Sequence, residues 1–412
     1  MREYYYRDLE LLEKFITSGK KTLIITSDNL DEVKKIKSHR YGCVVLENAV
    51  GDIEDIQKFL NKMRKELGAD KRLIIIYYNH LWEPVLKLAS WLGIRKKVGE
   101  QNWLDNEDMA NLLNLAGFEV VAKYKRLLIP VYIPLVSDLI NRWIAPLPLI
   151  NGLCLTSLVI ARPKVETRRD YSVSIVIPAR NEEGNIIQIL KRIPKFSKNM
   201  EVVFVEGHSQ DGTWEAIRQL RDKSRQKTGA IKVRAFKQSG IGKADAVRLG
   251  LAKAQGELLI ILDADLTVDP RDLPKFYEAI ATGYGEFING SRLVYPMEKQ
   301  AMQTLNKLAN QVFSWLFSWI LGQHFKDTLC GTKALLKSNY TQIVKMRGIF
   351  GENDPFGDFD LIFGAIKQNL KVAEIPVRYH ERKYGRTNIS RFINGWMLLK
   401  MTWLAFRKFR AW

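Results

Sequence analysis

Two aspartates at the end of an apolar run are the residues of this chain best suited to chemistry. Residues 257–262 read ELLIIL and are followed by Asp263, Ala264 and Asp265. Successive side chains of a strand point to opposite faces, so we expect the two carboxylates to face the same way. Such a pair can hold a hard cation such as Mg²⁺ or Mn²⁺, whose other positions stay open to water and phosphate oxygens. An isolated Asp-x-Asp is also typical of a solvated turn, so the surrounding elements decide between the two.

An α/β domain that begins at Ser172 would position this pair. Apolar segments predict four strands, and helical periodicity predicts a helix in each interval. The strands are 173–177, 201–205, 232–236 and 257–262, and the helices are 185–192, 213–220 and 243–254. This order predicts a parallel sheet with crossover helices. Ligands of such sheets bind outside the carboxyl ends of the strands, where the loops after Ile177, Val205 and Leu262 begin.

The composition favours a basic intracellular protein with two or three domains. The chain has 412 residues, of which 46% are hydrophobic, and a net charge of +19. This charge indicates either an anionic partner or a basic surface kept for solubility. Cys43, Cys154 and Cys330 form no CxxC pair, which excludes a disulfide framework and favours a reducing cytoplasm. The N-terminus lacks the apolar core of a signal peptide, and no run of about 18 to 20 apolar residues predicts a membrane span.

Three loop motifs follow predicted strands in order. They read PARNEEGN at 178–185, EGHSQDGT at 206–213 and DADLT at 263–267. As a set they resemble the nucleotide-sugar-binding half of the inverting family 2 glycosyltransferases, which have the Rossmann-like GT-A fold. The resemblance is strongest to the dolichol- and polyprenyl-phosphate sugar synthases and extends over residues 172–391. It implies a metal-dependent transferase that uses a nucleotide-diphosphate sugar.

The resemblance assigns the base and ribose of the donor to the first two loops. Pro178, Arg180 and Glu182 would line that pocket, and Glu206 would accept a hydrogen bond from the base. Glu206 stands where the family has the first of two aspartates, and Gly207 replaces the second. The family often has an aromatic residue at the position of Arg180. These departures leave the base preference open.

The same resemblance assigns the donor diphosphate to the aspartate pair. Asp263 and Asp265 would hold the metal, whose Lewis acidity offsets the charge that grows on the leaving nucleoside diphosphate. Lys243 follows the sequence GIG at a predicted helix start, which suits either a phosphate contact or a solvated lysine. Arg292 ends a GSR sequence after another strand and would contact the phosphate or the acceptor.

An acidic residue is expected on the acceptor side of the family. Alignment on residues 374–376, which read EIP, places it at Asp360. A hydroxyl acceptor would need Asp360 as a general base, whereas a phosphate acceptor is already anionic and would need only positioning. Asp358 is the alternative residue, and either carboxylate could instead cap the helix that follows.

The last matching segment is a loop that would cover the donor diphosphate. The family has an arginine, a glycine and a small hydroxyl residue here, and Arg382, Gly385 and Thr387 take those places. Asn388 stands where a lysine is usual, although neighbouring arginines could supply the charge.

Two tryptophan-rich segments predict contact with a lipid surface. Residues 311–321 are apolar and aromatic, and residues 392–412 mix tryptophans with lysines and arginines. Basic amphipathic helices lie well in a membrane interface, but core helices with a basic outer face have the same composition. The link to lipid-phosphate acceptors favours peripheral membrane contact. No RNP, zinc-finger or KH signature accompanies the charge, so we predict no nucleic-acid partner.

Residues 20–160 resemble the C-terminal part of class I S-adenosylmethionine methyltransferases. The resemblance lies in IIIYYNHLWEP at 74–84, NWL at 102–104 and LAGF at 115–118. The strand predicted at 22–26 is followed by SDNL, without the glycine-rich loop that lets a backbone approach the cofactor. We therefore expect an inactive remnant that supports its neighbour or binds partners.

The predicted organisation has four parts. Residues 1–160 form the partial methyltransferase-like domain, 161–171 a charged linker, 172–391 the GT-A domain and 392–412 a basic amphipathic helix. The predicted activity moves a hexose or N-acetylhexosamine from a UDP- or GDP-sugar to an acceptor at the cytoplasmic face of a membrane. A polyprenyl phosphate is the favoured acceptor, and a glycan is the other. The alternatives are an active methyltransferase fused to a sugar-binding domain and a catalytically dead scaffold.

Overall fold

The chain divides into two compact units. The structure is a computed structural model that describes residues 2–17, 20–37, 41–95, 100–226, 231–296, 304–349, 354, 357–382, 384 and 391–411. The first unit comprises Met1–Val165 with Lys367–Asn369 and Phe406–Trp412, and the second comprises Glu166–Ile366 and Leu370–Ala405. Within the described ranges, no helix is both long enough and apolar enough to cross a bilayer.

The first unit is built on a five-stranded sheet. Its strands are β1 (Thr22–Ile25), β2 (Cys43–Glu47), β3 (Arg72–Tyr78), β4 (Phe118–Arg126) and β5 (Thr156–Pro163). The sheet order is β1-β2-β3-β5-β4, with β1 to β3 parallel and β5 antiparallel to both its neighbours. Its α-helices are α1 (Arg2–Thr17), α2 (Ile56–Glu66), α3 (Glu83–Trp91), α4 (Asn106–Leu115), α5 (Val136–Leu139) and α6 (Pro148–Asn151), and 3₁₀ or π turns occupy Ser27–Lys37, Val50–Asp52, His80–Trp82 and Ile140–Ile144.

Alternation along β3 divides the core of the first unit into two layers. Leu73 and Ile75 pack on the face covered by α2 and α4, whereas Ile74 and Ile76 pack on the face covered by α1 and α3. All four side chains are buried. The central strand is therefore apolar throughout, as expected for a sheet with helices on both faces.

Most local predictions for the first unit are confirmed, and two strands were missed. Apolar segments at 22–26, 41–46 and 72–78 predict three strands, and these are β1 to β3. Helical spacing at 52–67 predicts a helix, and this is α2. The sequence reasoning missed β4 and β5. Residues 161–163 of the predicted linker belong to β5, where they pair with residues 118–120 of β4. The guanidinium of Arg162 is buried against the carboxylate of Glu119. This ion pair neutralises the charge of Arg162, which in the sequence alone indicates an exposed linker.

The second unit is built on a seven-stranded sheet. Its strands are β6 (Val173–Ala179), β7 (Met200–Glu206), β8 (Lys232–Lys237), β9 (Leu258–Ile261), β10 (Phe287–Ser291), β11 (Lys333–Leu336) and β12 (Val372–Pro376). The sheet order is β12-β10-β11-β9-β6-β7-β8. Its α-helices are α7 (Glu183–Arg192), α8 (Thr213–Gln226), α9 (Lys243–Lys253), α10 (Leu273–Ala281), α11 (Thr304–Leu321), α12 (Lys337–Lys345), α13 (Phe359–Lys367) and α14 (Arg391–Phe409), and 3₁₀ turns occupy Pro270–Asp272 and Arg347–Ile349.

The predicted parallel sheet is confirmed for its four strands. β9, β6, β7 and β8 are parallel neighbours, and their buried side chains form the core with α7, α8 and α10. β11 was not predicted, and it runs antiparallel between β9 and β10. Its first residue, Lys333, is fully buried against Asp358, and the sequence does not indicate that a lysine is buried there. The sheet of the second unit is therefore mixed.

Candidate active site

The predicted loops meet at one edge of the second sheet. β6 pairs in parallel with both β7 and β9, so the chain leaves Ala179, Glu206 and Ile261 on the same side. The first two loops are also joined to each other, because Asn181 N donates a hydrogen bond to Ser209 Oγ at 3.1 Å. The carboxyl edge therefore brings the three motifs together.

Asp263 is paired with Lys243. Lys243 begins α9, and its Nζ lies 2.6 Å from Asp263 Oδ1. Burial disfavours the charge of Asp263, but the ammonium of Lys243 outweighs this effect and lowers the pKa of the carboxyl. Gly331 leaves room for the pair, since a β-carbon there would collide with the Asp263 carboxylate and lie 2.6 Å from Lys243 Nζ.

Asp265 is held by Thr267, two residues farther on. The Thr267 backbone N–H and hydroxyl both donate to Asp265 Oδ1, at 3.1 and 2.7 Å. Burial, together with the charge of Asp263, raises the pKa of Asp265. The repulsion between the two carboxylates would be relieved by a bound cation, which fits the chemistry of the pair.

Asp263 and Asp265 are the two carboxylates that the described structure offers to a cation at this edge. In the part of the chain that the structure describes, no group of three His, Cys, Asp or Glu side chains is placed to hold a metal ion. Mg²⁺ commonly takes one or two carboxylates and completes its shell with water and substrate phosphates. Asp263 and Asp265 match that pattern.

Asp358 lies beside the same cluster. Its Oδ1 is 3.1 Å from Nζ of Lys333, a fully buried residue of β11. The preceding Gly357 has φ +72° and packs against the start of α9, because a β-carbon on Gly357 would lie 2.9 Å from Ala244 Cα. The structure therefore brings Asp358 close to Lys243, as the charge interaction of the two also indicates.

Asp360 is enclosed by two arginines rather than open to a substrate proton. Its carboxylate contacts the guanidinium of Arg248 in α9, and Arg347 Nε lies 3.6 Å away. The Asp360 backbone N–H donates to Asp354 Oδ2 at 2.9 Å. Asp360 itself is only 5% exposed. This setting suits positioning more than proton abstraction.

Glu182 and Arg382 connect the first loop to the distant C-terminal segment. Their side chains form an ion pair, and Asn185 Nδ2 donates to Glu182 Oε2 at 2.7 Å. Burial raises the pKa of Glu182 to about 7, although Arg382 opposes this effect. Tyr384 lies against the same loop, since its ring would collide with a β-carbon on Gly184.

The residues predicted to bind the donor base lie at the carboxyl ends of β6 and β7. Pro178 pairs with Val205 in the sheet, and the buried carboxylate of Glu206 accepts the backbone N–H of Ser209. Arg180 is exposed beside them. The carboxylate of Glu206 thus caps its own loop.

Gln238 lies beside the second loop, and the sequence did not indicate it. A β-carbon on Gly207 would lie 3.2 Å from Gln238 Nε2. Gln238 is 5% exposed, and within the described residues its Oε1 has no hydrogen-bond partner. A buried amide oxygen without a partner is costly, so a ligand that donates to it would bind favourably.

Arg292 is engaged in a structural ion pair. Its Nε and Nη2 donate to Asp327 at 2.6 and 2.8 Å, and Asp327 is fully buried. Despite burial, Arg292 lowers the pKa of Asp327 to about 2. The guanidinium also lies over the ring of Tyr379, 5.1 Å from its centroid. The expected phosphate contact of Arg292 stays a prediction, and Thr387 lies outside the described residues.

Sequence reasoning missed the groups that hold the predicted acids. Arg248 and Asp360 are 112 positions apart in the chain, and Lys333 and Arg347 follow no motif. Gly331 is equally ordinary in sequence. No local signal could have paired these residues with their acids, because the contacts arise from the crossing of α9, β11 and α13.

A known family matches the second unit. Residues 174–337 match the model described as glycosyl transferase family 2. The chain is 36% identical over 223 residues to the dolichol-phosphate mannosyltransferase of Pyrococcus furiosus. The aligned region covers 53% of this chain and 59% of that protein. The chain is 28% identical over 226 residues to the dolichyl-phosphate hexose transferase of Haloferax volcanii, and this aligned region covers 54% of this chain and 89% of that protein.

Two further similarities concern a third relative and a solved structure. Glycosyltransferase AglJ of Haloferax volcanii is 28% identical over 229 residues, which cover 54% of this chain and 68% of that protein. The solved structure is that of glucosyl-3-phosphoglycerate synthase from Mycobacterium tuberculosis in complex with Mn²⁺, UDP and glucosyl-3-phosphoglycerate. The alignment has a TM-score of 0.41 and 16% sequence identity, and it covers 58% of this chain and 80% of the synthase chain. Residues 174–337 of the second unit, which lie in its α/β sheet, are therefore similar to the glycosyltransferases of family 2.

Proposed function

We propose that the second unit transfers a hexose or N-acetylhexosamine from a UDP- or GDP-sugar to an acceptor, with inversion at the anomeric carbon. The observation that carries this proposal is the meeting of Asp263, Asp265 and Lys243 at the carboxyl edge of the sheet. Ligands of α/β sheets bind at this edge. The family match of residues 174–337 includes all three residues.

Asp263 and Asp265 would hold Mg²⁺ or Mn²⁺ in this proposal. The cation, when bound, supplies positive charge that stabilises the leaving nucleoside diphosphate. Lys243 would remain beside Asp263 and offer its ammonium to the same diphosphate at the start of α9, where the helix dipole also favours anions.

Glu206 and Gln238 would distinguish the base of the donor, with Pro178, Arg180 and Glu182 beside them. Gln238 presents an amide next to Gly207, the position where the family has its second aspartate. An amide can both donate and accept, so this pocket can pair with the edge of either uracil or guanine. Arg382 and Thr387 would close over the donor from the C-terminal segment.

A polyprenyl phosphate is the favoured acceptor, and a glycan hydroxyl is the other candidate. Arg248 and Arg347 flank Asp360, and this cationic surrounding suits an anionic acceptor group. The acceptor oxygen forms a bond to the anomeric carbon while the bond from that carbon to the diphosphate oxygen breaks, and the diphosphate leaves with the electron pair. A phosphate oxygen carries no proton to remove, so Asp360, or Asp358 beside it, would only position the groups. The names of the Pyrococcus and Haloferax relatives support a lipid-phosphate acceptor.

The acceptor would place the protein at the cytoplasmic face of a membrane. Exposed tryptophans support contact with lipid on two helices of the second unit: Trp315 on α11, and Trp396 and Trp403 on α14. Tryptophan is favoured at the boundary of headgroups and acyl chains. The lysines and arginines of α14 would add attraction to anionic lipid.

The first unit would be a partial methyltransferase-like domain without cofactor. The 3₁₀ turn Ser27–Lys37 begins directly after β1, and Asn29 Oδ1 accepts a hydrogen bond from Thr26 N at 2.6 Å. This turn occupies the place where a glycine-rich loop would approach the cofactor.

Calorimetric titration tests the donor site. The purified protein is titrated with UDP and with GDP, each with and without Mn²⁺, and with S-adenosylmethionine. The Asp265→Ala variant is compared with Asp222→Ala, which removes an exposed carboxylate of α8 paired with Arg221. We expect metal-dependent binding of one nucleotide that Asp265→Ala abolishes and Asp222→Ala retains.

Two results would count against this proposal. A folded protein that binds neither nucleotide would favour a scaffold without catalysis. Binding of S-adenosylmethionine alone would favour the methyltransferase alternative.

A further inference from the structure

The outer side of α3 in the first unit is apolar and exposed. Leu86 packs against the sheet, whereas Leu88 and Trp91 lie on the surface, with Trp91 78% exposed. Leu92 and Ile94, which follow the helix, are exposed as well. A helix of a water-soluble protein normally turns polar residues outward, so this outer side requires an explanation.

The segment 131–153 carries a second group of exposed apolar side chains. Leu149 is 95% exposed and Leu135 is 86% exposed, and Leu139 and Leu153 are also on the surface. The segment consists of short helical turns rather than one regular helix. Its leucines therefore project from the protein at the tips of turns.

The two groups adjoin each other. Trp82, which immediately precedes α3, donates its indole N–H to Leu153 O at 2.8 Å. Asn79 Nδ2 donates to Gly152 O and Cys154 O at 2.9 and 2.8 Å. We call the surface formed by Leu88, Trp91, Leu135, Leu139, Leu149 and Leu153 the apolar face.

The backbone beneath the apolar face has polar partners inside the protein. Asn141 exchanges hydrogen bonds with both backbone groups of Ile129, at 2.9 and 2.8 Å. Ser137 Oγ accepts from Ile133 N and donates to Val131 O. Irregular backbone tolerates a water-poor environment only when its polar groups are satisfied in this way.

The charges within the same segments are neutralised. Segments 81–94 and 131–153 contain two carboxylates, Glu83 and Asp138. Glu83 pairs with Lys87 at 2.6 Å, and Asp138 pairs with Arg7 at 2.8 Å. The sequence continues from α3 into the basic run RKK at 95–97. The apolar face therefore offers no uncompensated negative charge to an anionic surface.

We infer that the apolar face docks the first unit onto an anionic lipid bilayer by shallow insertion of its leucines and Trp91. A side chain as exposed as Leu149 would need a matching pocket on a protein partner, whereas fluid acyl chains accept it without one. The basic run would add attraction to anionic headgroups. This inference does not depend on the proposed transferase activity.

Vesicle binding of the full chain tests the inference. Cosedimentation is measured with vesicles of phosphatidylcholine and phosphatidylglycerol, and with phosphatidylcholine alone. We expect the Trp91→Glu, Leu149→Glu double variant to lose roughly tenfold or more of its partition into the anionic vesicles. Leu115→Glu is the matched control, because Leu115 is exposed at the end of α4, which packs on the other side of the sheet.

A site-specific label gives an independent measurement. All three native cysteines are buried, so a cysteine introduced by Leu149→Cys can be labelled selectively with an environment-sensitive fluorophore. We expect its emission to shift to the blue on anionic vesicles, and we expect no shift for the same label at Leu115→Cys.

Three results would overturn the inference. The first is unchanged vesicle binding by the double variant, with loss of binding by Trp403→Glu, which would assign lipid contact to α14 alone. The second is a wild-type protein that binds neither vesicle. The third is a dimer in solution that the double variant dissociates, which would make a second copy of the chain the occupant of the apolar face.

Discussion

At the scale of single residues, the absence of a side chain at Gly331 is as important to the candidate site as the charges themselves. Lys243 Nζ and Asp263 Oδ1 are 2.6 Å apart, and a β-carbon on Gly331 would collide with both side chains. Their ion pair keeps a carboxylate charged in a half-buried position. A small change at Gly331 should therefore affect donor binding more than folding.

We expect Gly331→Ala to weaken nucleotide binding by roughly tenfold or more, because the new methyl group forces Asp263 and Lys243 apart. Titration calorimetry in the presence of Mn²⁺ measures the change. Gly348→Ala is the control, since a β-carbon at Gly348 would have no other atom within 4 Å. Equal affinities of the two variants would refute the assigned role of Gly331.

Glu182 allows a prediction about pH. Its pKa is raised from 4.5 to about 7, so the folded protein disfavours the ionised carboxylate relative to the unfolded chain. Glu182 therefore lowers the free energy of unfolding progressively as the pH rises from 4.5 to about 7. Glu182→Gln removes this titration and keeps one oxygen as an acceptor, so the variant loses either the Arg382 or the Asn185 contact at every pH.

Thermal melts across that pH interval test the prediction for Glu182. The Tm of Glu182→Gln should rise relative to that of the wild-type protein as the pH increases, and the gap should level off above pH 7. A gap that is constant with pH would show that Glu182 keeps an ordinary pKa.

At the scale of secondary structure elements, Asp360 connects the start of α13 to α9. Its contact with Arg248 joins these two helices, and Arg347 adds a third partner. The sequence placed Asp360 on the acceptor side, but it could not show that two arginines enclose it. The enclosure is a tertiary feature because its members come from three separate segments.

We expect Asp360→Ala to lower the free energy of unfolding by about 2 kcal/mol, since it leaves Arg248 and Arg347 without their counterion. Denaturant melts measure this change. Nucleotide binding should be unchanged, whereas transfer to an acceptor should be lost. Asp222→Ala should cost less than about 0.5 kcal/mol, because its ion pair is on the surface. Loss of nucleotide binding in Asp360→Ala would contradict its position on the acceptor side.

At the scale of the whole molecule, each unit has its own buried core, and all three cysteines are buried in these units. Burial raises the pKa of Cys43 and Cys154 to about 12 and that of Cys330 to about 11. At pH 8 the thiolate fraction is therefore very small in the folded protein.

We expect no cysteine of the native protein to react with a thiol reagent such as dithionitrobenzoate at pH 8 within minutes. In denaturant all three should react. The absorbance of the released thiolate counts them. Rapid reaction of one thiol under native conditions would indicate local opening of the core that contains it.

Much of each unit could be predicted from the sequence because the signals are local. Apolar runs and helical periodicity located β1 to β3 and the parallel strands β6 to β9, and the acidic and glycine-containing loops marked their carboxyl ends. β4, β5 and β11 were missed because each contains lysine or arginine, and the sequence does not show which distant residues those charges contact. Arg162, buried against Glu119, is the clearest example.

The sequence by itself determined the order of strands and loops that brings Asp263 and Asp265 to the edge of a sheet, since strand periodicity depends on neighbouring residues alone. Only the tertiary structure decided which cation meets which acid. Lys243 meets Asp263 and Lys333 meets Asp358, and Arg292 is committed to Asp327. Such pairs join residues that are distant in the chain. In the two buried pairs, Lys333 with Asp358 and Arg292 with Asp327, loss of one partner would leave an uncompensated charge in a low-dielectric interior.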